Sequence, residues 1–167
     1  MPRTSLPYRE KSELYLLYKG QVVAQDRGNY LMFPGGGVES GENLLLSAKR
    51  EALEEAGVVL RGSLTRFCRV DWDWFPEWAS SPIRRQRYAE FRGERVHVLV
   101  GVVDRMHAPT STEGDGWRGK RTMGLSRAIA LHHKHAESDH ANTYPYRTAQ
   151  HCALVALQMM RGSKRNV

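Results

Sequence analysis

The sequence predicts one domain of the α/β class, and three observations carry that expectation. Residues 12–18 and 21–25 are strand-length apolar runs split by Lys19-Gly20, the pattern of two strands joined by a tight turn. Residues 43–56 then take on helical spacing and stop at Gly57, a residue suited to the left-handed conformation that ends helices. Residues 96–103 form a nearly continuous apolar run of strand length, which reads as a central buried strand.

The remaining elements follow in chain order. Residues 1–11 are polar and interrupted by Pro2 and Pro7, so residues 1–10 are expected to form a flexible arm without the apolar stretch of a secretory signal. Residues 30–33 are a further short strand, stopped by Pro34-Gly35-Gly36-Gly37. Residues 58–70 read as strand with an interruption at Gly62, and residues 71–94 as an elaborated irregular loop. A second long loop is expected over 106–119, a short helix over 125–135, and a C-terminal amphipathic helix after Tyr144-Pro145. That last helix presents Ala149, Cys152, Ala153, Ala156, Leu157 and Met160 at helical spacing, with residues 161–167 as a frayed tail. No repeat or linker divides the 167 residues, so they are expected to form a single domain.

Composition narrows the function classes. Apolar residues make up 41% and no apolar run reaches the roughly 18 residues of a membrane helix, which excludes disorder and a helical membrane span and points to the cytoplasm. Cys68 and Cys152 stand far apart in sequence, outside any CxxC spacing, and suggest neither a disulfide framework nor a zinc site. His132, His133, His135 and His140 lack the spacing of a zinc motif and are expected on an exposed helix end. The triple glycine is followed by no Gly-Lys-Ser or Gly-Lys-Thr, so it is not a P-loop. A net charge of +7 favours an anionic partner without choosing among nucleotide, RNA and membrane surface.

The chemistry is concentrated on the first helix. Glu51, Glu54 and Glu55 lie at i, i+3 and i+4, so their carboxylates share one face, bordered by the apolar stripe of Leu44, Leu45, Ala48 and Ala52. Like charges at these spacings cost an isolated helix a few tenths of a kcal/mol per pair. A hard divalent cation such as Mg2+ or Mn2+ would offset that repulsion through carboxylate oxygens.

Gly36, Glu42, Arg50, Glu51, Glu54, Glu55 and Gly57 stand in the pattern G-x5-E-x7-R-E-U-x-E-E-x-G-U, with Ala52 and Val58 at the aliphatic positions. Seven specified residues would match by chance less than about once in a million. Over residues 36–58 the chain resembles the Nudix box at every constrained position, and residues 33–39 look like the approach to it. The resemblance implies an alpha/beta/alpha sandwich with a mixed β-sheet between the box helix and the C-terminal helix. It implies metal held by the Gly36 carbonyl and by Glu51, Glu54 and Glu55, braced by Arg50 and Glu42. Glu42, read as a first-turn residue, would also suit the helix dipole.

The implied reaction is attack of water on phosphorus in a diphosphate-containing nucleotide derivative. Glu54 or Glu55 is the first choice of general base, and Glu113 or Asp115, in the loop after the central strand, the second. Gly35, Gly36 and Gly37 would let a backbone approach phosphate closely. Trp72, Trp74, Phe75 and Trp78, followed by Arg84, Arg85 and Arg87, combine stacking faces with phosphate-pairing charge and suggest Trp74, Arg84 and Arg87 as substrate contacts. Packing of the tryptophans against the sheet is the equal alternative. Hydrolysis at an RNA 5′ end and a non-catalytic nucleotide-binding module are the rival functions, and a homodimer is left open.

Overall fold

The structure is a computed structural model that describes residues 2–110, 117 and 119–163. The chain runs β1 (Tyr8–Tyr18), β2 (Gln21–Val23), β3 (Gln25–Asp26), β4 (Leu31–Met32), α1 (Leu44–Ala56), β5 (Val58–Asp73), α2 (Pro82–Glu90), β6 (Gly93–Met106), β7 (Thr122–Gly124), α3 (Leu125–Ala136) and α4 (Tyr144–Ser163). Five strands form one sheet in the order β5-β6-β1-β2-β7, and β3 pairs with β4 apart from it. The sheet is mixed: β1 runs parallel to β6, and the other pairs are antiparallel. Helix α1 covers one face, and α3 and α4 cover the other, giving the expected alpha/beta/alpha sandwich.

Alternation along β1 builds both cores. Leu14 and Leu16 pack with Leu99, Val58 and Val103 under α1, whereas Tyr15 and Leu17 pack with Val98, Val100 and residues of α3 and α4. Ala48, Ala52 and Ala56 are fully buried on α1, so the helix backbone sits close to the sheet. Asn43 caps the helix, its side-chain oxygen accepting from the N–H groups of Leu45 and Leu46 at 3.1 and 3.2 Å. Gly57 ends it at φ 65°, where a Cβ would lie 2.1 Å from the His107 carbonyl oxygen. No helix among the described residues is long and apolar enough to cross a membrane.

Several segments depart from the sequence expectation. Strand β1 starts at Tyr8, inside the expected arm, and pairs with β6 from Tyr8 opposite Gly93 onward. The arm is further docked by the Arg3 guanidinium, which donates to the carbonyls of Tyr88, Phe91 and Arg92. Residues 71–94 are largely regular: β5 continues to Asp73, a short 3-10 turn spans Pro76–Trp78, and α2 follows before β6 opens at Gly93. Ser81 caps α2 by accepting from the Arg84 N–H, with Pro82 in the first turn. Helix α4 begins at Tyr144 and includes 161–163 of the expected tail, while 164–167 lie outside the described residues.

A buried polar network ties α4 to β1. Glu13 is 3% exposed and accepts hydrogen bonds from Tyr15, Tyr146 and Gln150, with Lys11 at 3.4 Å. Burial works against its charge, but Lys11 and the three donors outweigh that and hold the carboxyl below its usual range.

Two of the four histidines depart from the expected exposed helix end, while His133 and His140 are exposed. His132 and His135 are buried, the latter within 3.1 Å of Asp26, because α3 turns this face toward α4 and β3. Burial, with Arg147 and His151 of α4 and His133 nearby, pushes His132 down to about 4. The neutral ring is therefore favoured in the fold, and its stabilisation is complete above about pH 6.5 and lost as pH falls toward 4. The loss should reach about 2 kcal/mol after allowing for solvent screening. Urea melts at pH 7 and pH 4.5 should show a smaller pH dependence for His132→Gln than for the parent; parallel pH dependence would contradict this.

Candidate active site

The site is built from a glycine loop laid along β1. Before β2 begins, the edge of β1 opposite β6 is taken by residues 34–38, which run antiparallel to it. Leu14 N–H donates to Pro34 at 2.8 Å, Ser12 N–H to Gly36 at 2.9 Å, and Val38 N–H to the Glu10 carbonyl at 3.0 Å. Gly35 has φ 143°, and a Cβ there would fall 2.2 Å from the Ser12 carbonyl oxygen. A Cβ on Gly36 would meet the Glu51 carboxyl carbon at 3.1 Å, and one on Gly37 the Arg9 guanidinium at 2.5 Å. The glycines thus hold the loop against strand, acid and arginine in turn.

Helix α1 supplies the acids. Arg50 donates to Glu42 at 3.2 Å and to Glu54 at 3.0 Å, and lies 2.9 Å from Glu51. One guanidinium therefore fixes three carboxylates. Glu42 precedes the Asn43 cap and is not in the first turn; its carboxylate accepts from the Glu39 N–H at 3.2 Å, so it braces the loop. Glu55 is pushed up to about 7, first by burial and next by Glu51, against the lowering influence of the Gly35 N–H bond and of Lys11. An acid so placed gains from a neighbouring positive charge.

The donor set suits a hard divalent cation: three carboxylates and the Gly36 carbonyl, whose second lone pair is left over from the Ser12 bond. Among the described residues no three His, Cys, Asp or Glu side chains already converge on one point, since Glu51 and Glu54 turn to Arg50 and Glu55 to Gly35. Mg2+ does not require such closure, because it commonly takes one or two carboxylates and completes its shell with water and phosphate oxygens. The residues fit the ion.

The sequence-predicted residues divide into two groups. Gly35, Gly36, Gly37, Glu42, Arg50, Glu51, Glu54 and Glu55 come together. Glu113 and Asp115 lie outside the described residues. Trp74 is 3% exposed and stacked on Trp78 at 3.6 Å, so its ring belongs to the core and offers no face to a base. Arg84, Arg85 and Arg87 ride on α2, with Arg84 5.4 Å from the Trp78 ring. Sequence reasoning missed Arg9 and Lys11. Their i, i+2 spacing ahead of a strand was the available signal, hidden by the reading of this stretch as a loose arm. A cleft of about 990 Å³ opens beside the loop, with Tyr8, Arg9, Gly37, Glu42, Arg66 and His97 in its wall.

Comparisons with known proteins identify the family. The sequence model of the NUDIX domain matches residues 5–146. The chain belongs to the NUDIX family. Nudix hydrolase 18, mitochondrial, of Arabidopsis thaliana is 53% identical over 38 residues, a match spanning 23% of this chain and 22% of that protein. A NUDIX hydrolase from Nitrosomonas europaea shares the fold with a TM-score of 0.51 and 12% identity, over 92% of this chain and 89% of that one. A mutator MutT protein from Bacillus halodurans aligns with a TM-score of 0.49 and 15% identity, over 74% and 72% of the two chains.

The loop packing makes a direct stability prediction. Gly35→Ala must break the ladder to β1 and should cost on the order of 3 kcal/mol or more. Gly41→Ala, also at positive φ but facing open space, should cost about 1 kcal/mol. Chemical denaturation compares them, and equal costs would contradict the close approach at Gly35.

Proposed function

We propose that the chain hydrolyses a diphosphate bond in a nucleoside diphosphate or triphosphate derivative, with water attacking phosphorus and Mg2+ or Mn2+ as the cation. The observation that carries this reading is the joint placement of Glu51 against Gly36, Glu55 on the Gly35 N–H, and Arg50 across Glu42, Glu51 and Glu54. Membership of the NUDIX family, a family of hydrolases of this type, supports it.

When bound, the cation would neutralise diphosphate oxygens, lower the pKa of the attacking water and stabilise the leaving phosphate. Glu51, Glu54, Glu55 and the Gly36 carbonyl are the residues that would hold it. Arg50 keeps the carboxylates oriented and moderates their mutual repulsion, and Glu42 anchors that arginine to the loop. Glu54, whose side chain is 45% exposed, and Glu55 are the two candidates for general base.

Hydrolysis at an RNA 5′ end is the second reading, favoured by Arg84 and Arg85 exposed on α2 and by the net charge of +7. A binding-only module accounts poorly for Arg50 and three clustered glutamates, whose repulsion serves no purpose without a cation.

Glu54→Gln and Glu55→Gln keep side-chain length and remove charge. Each should slow diphosphate hydrolysis by roughly 10² to 10⁴ at saturating Mg2+. Their melts in EDTA should equal or slightly exceed the parent's, since like-charge repulsion is relieved. Parental rates in both variants would remove these residues from the mechanism.

A further inference from the structure

Where β1 turns into β2, at the end of the sheet, the structure holds a cavity of about 530 Å³ whose wall carries three cations, Lys19, Arg61 and Arg161, and one acid, Asp104. Its floor residue Leu17 follows Ser12 of the loop contact by five residues, roughly 15 Å of strand. Pairing of Leu17 and Arg61 with Val102 sets these three side chains, and Asp104 two residues on, toward the α4 side of the sheet. Leu17 and Val102 make that floor apolar. Asp104 is shared by Arg61 at 3.5 Å and Arg105 at 3.8 Å. Arg161, in the last turn of α4, rests its stem on Gly20 and donates to the Gly20 carbonyl at 3.3 Å. Neither Arg161 nor Lys19 has an ion-pair partner among the described residues. Lys19 is held at φ 48°, in the left-handed region, at the first position of a two-residue turn that favours Asn or Gly there. A lysine keeps that position at a backbone cost, which points to a use for its charge.

We propose that this cavity binds a nucleotide away from the acids of α1, its phosphate between Arg61 and Arg161 and its base on Leu17 and Val102. A volume of about 530 Å³ exceeds what a bare phosphate fills and falls in the usual range for small-molecule sites, roughly 300–1,000 Å³. Arginine suits the phosphate because its planar fork offers paired donors, and Arg161 gives one N–H to Gly20 and keeps the others. The acid in the wall is committed to arginines, so nothing there cradles a hard cation and the site holds its ligand without cleaving it. A free nucleoside monophosphate and a nucleotide within a single-stranded RNA share this chemistry. The site is independent of the diphosphate-hydrolase reading.

Adenosine 5′-monophosphate is titrated into the isotope-labelled protein and followed by NMR, in EDTA so that no divalent cation draws the nucleotide to α1. The largest amide shifts should fall on Lys19, Gly20, Val102 and Asp104, and adenosine should bind at least about tenfold more weakly than its monophosphate. Arg161→Gln should weaken the monophosphate about tenfold, Arg161→Lys less, and Arg61→Gln, on a different element, should weaken it too. Lys134→Gln, which removes an exposed charge in the last turn of α3, should leave binding unchanged. No binding, shifts confined to residues 35–37 and α1, equal affinity for adenosine, or equal losses at Arg161 and Lys134 would each overturn the site.

A single-stranded oligoribonucleotide with a 5′ hydroxyl names the source of the nucleotide. If it belongs to a chain, Arg161→Gln weakens the oligoribonucleotide in step with the monophosphate and flattens its salt dependence. If it is free, the monophosphate alone depends on Arg161. Parental affinity of Arg161→Gln for both ligands would contradict the proposal. Neither ligand contains a diphosphate bond, so both arms decide the site whether or not the chain proves to be a hydrolase.

Discussion

Leu14 and Ser12 give their backbone N–H groups to the carbonyls of Pro34 and Gly36, and the placement of every acid in the site follows from that stitching. A loop free to move would leave Glu51 and Glu55 as ordinary helix-surface acids. Held in the ladder position on β1, it presents Gly36 to Glu51 and the Gly35 N–H to Glu55. The approach is close enough that only glycine satisfies position 35. The opposite side of the loop's contact, the packing of Ala48, Ala52 and Ala56 onto the sheet, brings α1 near enough for its glutamates to arrive there.

Charge is distributed across β1 in a way that serves the same end. Lys11 is held by Glu13, yet its charge also lowers the cost of ionising Glu55, so one ammonium moderates acids on both sides of the strand. Glu13 in turn fastens β1 to α4 through Tyr146 and Gln150, which couples the position of Lys11 to the C-terminal helix. Arg50 plays the matching part on α1. Removing Arg50 would leave Glu42, Glu51 and Glu54 without their shared cation, and removing Lys11 would leave Glu13 buried without its ammonium partner.

The box helix and its site were legible in the sequence because each feature has a local cause. Asn43 and Gly57 mark the ends of α1, the alanines mark its buried face, and the acid spacing is fixed by the helical repeat. The segments that were not legible depend on long-range packing. Tyr8, Arg9 and Glu10 look like a polar arm because their partners, Gly93, Glu94 and Arg95, are over 80 residues away. Helix α2 buries no residue fully, so it carries no apolar stripe, although Ser81 and Pro82 signalled its start. Trp74 and His132 resemble ligand-binding residues in composition, and only the fold shows that both face the core.

The central claim is that Glu51, Glu54 and Glu55, with the Gly36 carbonyl, form the cation site. Anomalous scattering from crystals soaked in Mn2+ tests it most directly. The account predicts a peak bounded by these carboxylates and by residues 35–37 of the loop. A peak only among the histidines of α3 and α4, with none at α1, would contradict it.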